Sequence, residues 1–217
     1  TSGLVRSSGK TFRWSGTYSD RDVNVRRTLN TQLNVFAHFS PVLSYEHSQS
    51  AYVFLANIDP DLQRKVLEQM KGRPRFVALD TMNYWIEEKH IELKDVLRDV
   101  DAIFVDEGEA RDLANETNLI KCADRIKELG PEIVVVKRGE HGATMFHGES
   151  VFSVPGVPLE NVVDPTGAGD SFAGGFLGYL AKNGLDNLTQ AVVHGTVIAS
   201  YTVSGFGVEN LCDIDSN

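Results

Sequence analysis

The chain has 217 residues, a formal net charge of −9 and 41% hydrophobic residues, enough apolar material for one sizeable core. The acidic balance argues against a sequence-independent nucleic-acid binder, which needs a basic face, so no nucleic-acid partner is expected. No apolar run is long enough to span a bilayer and the N-terminus lacks a signal-peptide pattern; Cys122 and Cys212 stand far apart and read as reduced thiols, so a cytoplasmic protein with no membrane partner is expected.

The first fifty residues differ from the rest. The stretch from Gly9 to Asp20 sets aromatics, Thr and Ser between glycines, which suits short strands and turns, and Gln32 to Leu43 alternates partly before Pro41. Residues 1–50 are therefore expected to form a small β excursion. From Ala51 the pattern becomes strand, helix, strand. Ala51 to Leu55 is a short apolar run, and Leu62, Val66, Leu67 and Met70 follow at helical spacing. Arg75 to Leu79 is the next strand, followed by a helix over Trp85 to Leu97. Ala102 to Val105 is a strand before the helical EGEARDLANE, and Lys121 to Leu129 is a helix before the strand Glu132 to Lys137. Continuous β-branched runs such as IVVV suit buried parallel strands. Residues 51–217 thus read as an α/β domain: a doubly wound, mostly parallel sheet with helices on both faces and ligands at one sheet edge. Two shorter strands, ATMF and SVFSV, precede two closing helices, from Gly167 to Lys182 and from about Leu188 to Val203.

The segment Asp164 to Phe176, DPTGAGDSFAGGF, carries chemistry. Gly167 and Gly169 flank Ala168, and Phe172, Phe176, Leu177 and Leu180 then recur at amphipathic helical spacing. The first N–H groups of a helix have no internal partner and face outward at the positive end of its dipole, which makes an anion site. Glycines let a phosphoryl group approach that backbone. Asp170 would weaken such a site, unless it accepts the proton of a hydroxyl that attacks the anion. An ordinary capped helix is the other reading of the bare GAGD.

This segment resembles the C-terminal signature of the ribokinase, or PfkB, carbohydrate kinase family, and the resemblance runs from about Ala51 to about Leu211. It implies ATP-dependent transfer of a γ-phosphoryl group to a hydroxyl, with Asp170 as the base, Gly167, Ala168 and Gly169 as the anion hole, and Thr166 beside the nucleotide. The stretch Val134 to Ala143 is similar to the family's strand and turn near the nucleotide phosphates. Gly139 and Gly142 match, and Lys137 stands where threonine is common; a lysine can neutralise phosphate as a point charge, or snorkel off a strand end. Asp106 and Glu109 lie on the family's N-x-x-E motif, with Asp106 in place of asparagine. That match implies Mg²⁺ near the phosphates, which oxygen ligands suit; solvated acids at a helix start are the alternative. Gly205 and Gly207 resemble the glycine turn near the adenine, with a plain helix C-cap at Gly205 as the alternative.

Asp80 ends a strand on the ligand edge, where a turn or cap role competes with phosphate or metal contact. His194 reads as packed or solvated. Arg13 and Trp14 fall where family members carry a lid sheet over the acceptor, so residues 1–50 are expected to be lid-like, with a homodimer formed through those strands. Nothing before Ala51 matches the family's opening strand, acceptor aspartate or GG segment, so part of the usual N-terminal region is expected to be absent. The expected acceptor is a small-molecule sugar; a nucleoside acceptor, or a non-catalytic nucleotide-binding protein on the same fold, are the alternatives.

Overall fold

A computed structural model describes residues 4–19, 22–212 and 214. Strands β1 (Arg13–Ser19) and β2 (Asp22–Gln32) form a separate antiparallel ribbon, with irregular register after Ser15 and after Tyr18. The main sheet holds β3 (Tyr52–Leu55), β4 (Phe76–Asp80), β5 (Ala102–Asp106), β6 (Ile133–Lys137), β7 (Ala143–His147) and β8 (Ser150–Val154), in that order. Strands β3 to β6 are parallel, and β7 and β8 run antiparallel. The four parallel neighbours expected from the apolar runs are thus all present.

A strand order that advances in one direction sends right-handed crossovers to one face. The packing agrees. Helices α1 (Pro60–Glu68), α2 (Asn83–Glu88), α3 (His90–Leu97), α4 (Glu107–Ala114) and α5 (Leu119–Lys127) bury Val66, Ile86, Leu93, Leu97, Leu113 and Ile126 against Val77, Leu79, Ile103, Val105, Val134 and Val136. The opposite face is covered by α6 (Ala168–Asn183) and α7 (Leu188–Val203), which pack Phe172, Phe176, Leu180 and Val192 on Phe76, Ala78, Phe104 and Val135. A short α8 (Glu209–Cys212), which periodicity does not signal, follows.

Two expectations differ in detail. The single helix over 85–97 is two helices parted at Lys89, whose backbone leaves the helical region (φ −131°, ψ 41°). Its ammonium donates to both Asp59 carboxylate oxygens at 2.8 Å and to Asp61, and these hydrogen bonds raise its pKa to about 12. The alternation read across 32–43 is no strand: Asn34–His38 is a short 3₁₀ helix, and β2 precedes it. Phe36 packs edge-on to Phe12 and stacked on Phe39, so the aromatic spacing serves a turn. No helix among the described residues is long and apolar enough to cross a membrane.

Candidate active site at the start of helix α6

Parallel strands end on one sheet edge, and here each of three central strands ends in a charge. Alternation along β4, β5 and β6 puts Phe76, Ala78, Ala102, Phe104, Ile133 and Val135 on the face that α6 covers. The same alternation assigns Asp80, Asp106 and Lys137 to that face. The Lys137 Nζ donates to Asp80 Oδ2 at 2.8 Å, and the Asp80 carboxylate is 7% exposed. Burial would lower the Lys137 pKa, but Asp80, Glu109 and Asp106 outweigh it and hold the ammonium above its ordinary value. Asp80 Oδ1 accepts its neighbour's Thr81 N–H at 2.7 Å, and its carbonyl accepts Gln63 Nε2 at 3.1 Å.

Helix α6 starts directly on this pair. Gly167 is its N-cap, with φ +84°, a conformation that a side chain would strain. A Cβ added to Gly169 would lie 2.9 Å from Lys137 Nζ and 3.7 Å from Asp80 Oδ2. Glycine at 169 therefore lets the ammonium rest against the first turn. Asp170 occupies the same turn and is exposed. The Ala168 N–H turns back to the Pro165 carbonyl at 3.2 Å, so an arriving anion competes with that bond. The approach to the helix is fixed by Thr166 N–H to Asp164 Oδ1 at 2.9 Å and Val163 N–H to the Val203 carbonyl at 2.8 Å. Thr202 Oγ1 donates to Ser171 Oγ at 2.7 Å, tying the start of α6 to the end of α7. Gly175 serves a different purpose: its Cβ would meet Gly195 Cα at 3.0 Å, so it lets α6 and α7 touch.

Asp106 and Glu109 form a reciprocal cap on α4. Asp106 Oδ1 accepts the Glu109 N–H, and Glu109 Oε2 accepts the Asp106 N–H, both at 2.8 Å. Glu109 is buried. Desolvation, then the Asp106 charge, raises its pKa to about 7, against the pull of Lys137. Among the described residues no group of three or more His, Cys, Asp or Glu side chains is placed to hold a metal ion. Asp106 and Glu109 still offer only hard oxygen donors, a set that suits Mg²⁺ held by one or two carboxylates together with phosphates and waters.

Gly139 opens the turn after β6, where the Arg138 N–H donates to the Gly142 carbonyl at 2.8 Å. Arg138 pairs with Glu107 at 2.5 Å, and that hydrogen bond holds the Glu107 carboxyl below the usual range. Gly205 and Gly207 lie in the turn after α7; the Gly205 N–H reaches the Thr202 carbonyl at 3.3 Å and Asn210 Nδ2 donates to Ser204 Oγ at 2.9 Å. The glycine loop, Asp170 and Lys137 are thus brought together directly. Gly139 joins them through Lys137, and the 205–207 turn through Thr202. His194 packs its ring 4.6 Å from Tyr179. Two surface clefts, one along α1 and α3 and one around Ser48–Ala51 and Met70–Arg75, contain none of these residues. Sequence reasoning weighed Asp80 between a turn role and phosphate or metal contact without pairing it with Lys137, and did not select Ser171 or Thr202. The available signal for Asp80 was that FVALD, AIFVD and IVVVK each close on a charge.

The sequence model described as "pfkB family carbohydrate kinase" matches residues 4–215. A cytidine kinase of Thermococcus kodakarensis is 35% identical over 138 residues, 61% of this chain and 48% of that protein. A nucleoside kinase of Methanocaldococcus jannaschii is 25% identical over 157 residues, 72% of this chain and 50% of that protein. The chain thus spans about half the length of these curated relatives. The crystal structure of adenosine kinase from Sinorhizobium meliloti superimposes with a TM-score of 0.78 at 21% identity, over 91% of this chain and 62% of that one.

Proposed function

Because this chain belongs to the PfkB family of carbohydrate kinases, we propose that its protein transfers the γ-phosphoryl group of ATP to a hydroxyl of a sugar or nucleoside in the cytoplasm. The observation that carries this reading is the placement of Asp170 in a glycine-rich first turn that rests on the Lys137 ammonium. The α6 N-terminus and Lys137 attract the same anion, one by its outward N–H groups and dipole, the other by its charge. Gly167 and Gly169 allow close approach, and Thr166 and Gly139 border the phosphates. Gly205 and Gly207 form the turn against which the base lies. Asp170 takes the proton of the acceptor hydroxyl as it attacks; its role is orientation and proton acceptance, since phosphoryl transfer depends mainly on positioning and charge. Asp106 and Glu109 would hold Mg²⁺, which supplies charge neutralisation at the phosphates when bound.

The cytidine and nucleoside kinases among the relatives favour a nucleoside acceptor over a plain sugar. A screen of the full-length protein for ATP consumption against nucleosides, sugars and sugar phosphates tests the proposal. Phosphorylated product with at least one alcohol is expected. A folded protein that binds ATP yet phosphorylates none of them would overturn it and favour a binding protein on the kinase fold.

A further inference from the structure

We infer that Asp80 is a positioning residue for the nucleotide phosphates, acting through Lys137 by holding that ammonium against Gly169 at the start of α6. The inference rests on the kinase reading above and adds a residue to it. Asp80 carries the same sign as a phosphate and cannot itself attract one. Its Oδ2 instead holds Lys137 Nζ at 2.8 Å, and the ammonium lies 2.9 Å from where a Cβ of residue 169 would sit.

Asp80 is fixed at both carboxylate oxygens and at its main chain. Oδ1 accepts the Thr81 N–H, Oδ2 accepts Lys137, and the main chain at 80 is held by Gln63. Gln63 is 2% exposed, and its Nε2 also donates to the carbonyls of Leu55 and Ala56. It therefore ties together the ends of β3 and β4 on the ligand edge. A lysine stem has several rotatable bonds, so an unheld ammonium would be ordered only when the ligand arrives, at an entropic cost to binding. Here folding has already ordered it. Stability alone is a weak account of the arrangement, since a buried ion pair is often no better than apolar side chains of the same volume. A bare lysine offers three donors and no acceptor, which suits phosphate oxygens. The neighbouring helix N-terminus selects the same ligand.

The test uses the full-length enzyme and three variants: Asp80→Asn, Lys137→Met, and the two combined. ATP affinity is read by calorimetry, and KM is read separately for ATP and for the acceptor. Each single change is expected to weaken ATP binding and raise its KM about tenfold, the loss of one charge-assisted contact, while the acceptor KM stays within about twofold. The double variant should bind ATP no more weakly than Lys137→Met, because Asp80 then has no ammonium to hold. The inference is overturned if folded Asp80→Asn binds ATP within about twofold of wild type, or if the two losses multiply in the double variant. Should Asp80→Asn not fold, Lys137→Met and the charge-balanced double variant decide: equal ATP affinity supports the inference, and a further loss in the double overturns it. Wild-type enzyme that neither binds ATP nor turns it over would overturn the kinase reading itself, and this inference with it.

Discussion

The two faces of the main sheet are filled with different side chains. Toward α1–α5 the buried cluster is aliphatic, with Phe146 as its one aromatic among the described residues. Toward α6 and α7 it is aromatic: Phe104 meets Phe54, Phe172 and Phe176 at centroid distances of 5.2 to 6.2 Å. The site charges follow the aromatic face. Aliphatic side chains suit the repeated seating of short crossover helices, where many small contacts add up. Rigid rings seat one long helix firmly, which matters when that helix brings its first turn to a ligand. The face opposite the site can then vary in packing without moving the chemistry.

The largest effect expected concerns the exposed end of the aromatic face. In the full-length enzyme Asp170→Asn should lower kcat by roughly 10²–10⁴ and leave ATP affinity unchanged or slightly higher. A folded variant with kcat within about threefold of wild type would reduce Asp170 to a first-turn carboxylate that complements the helix dipole. Phe104→Ala probes the seat beneath it. Phe104 is fully buried, and its loss should cost about 3–5 kcal/mol in urea unfolding. A cost near 1 kcal/mol would show that the ring cluster closes over the gap and that the contrast between faces is superficial.

Glu109 sharpens the comparison through pH. Its folded pKa of about 7 lies above the ordinary carboxylate value of 4.5. The folded protein therefore holds the extra proton between those values, and stability falls as pH rises from about 4.5 through about 7, by about 3 kcal/mol in the metal-free protein. Urea melts across this range should show the slope, and Glu109→Gln should flatten it. The smallest effect is expected from Gly169→Ala. Alanine favours the helix by up to about 1 kcal/mol, so the melting temperature should hold or rise. The new methyl meets the Lys137 ammonium, so ATP binding should weaken several-fold, and tighter binding would disprove the packing described.

Most of the fold is legible in the sequence because parallel strands buried on both sides are continuous apolar runs, and FVAL, AIFV and IVVV are short, rich in β-branched and aromatic residues and separated by helical stretches. Helix α6 is legible because its apolar spacing follows a glycine-rich turn. The break at Lys89 is not, since it depends on Asp59 and Asp61 in a different helix region. Nor is the Asp80–Lys137 pair, whose members stand 57 residues apart and meet only through sheet register and side-chain reach. Asp106 and Glu109 were legible as a pair, but their mutual cap is local geometry that the spacing shares with many ordinary helix starts.

The Thr202–Ser171 and Val163–Val203 bonds sew the last turn of α7 to the start of α6 and to the segment that leads into it. Hydrogen exchange at the Val163 amide and fraying of α7 should therefore share one opening event. A cooperative unit of this kind gives the glycine turn at the start of α6 the breathing rhythm of a helix end that lies some thirty residues further along the chain.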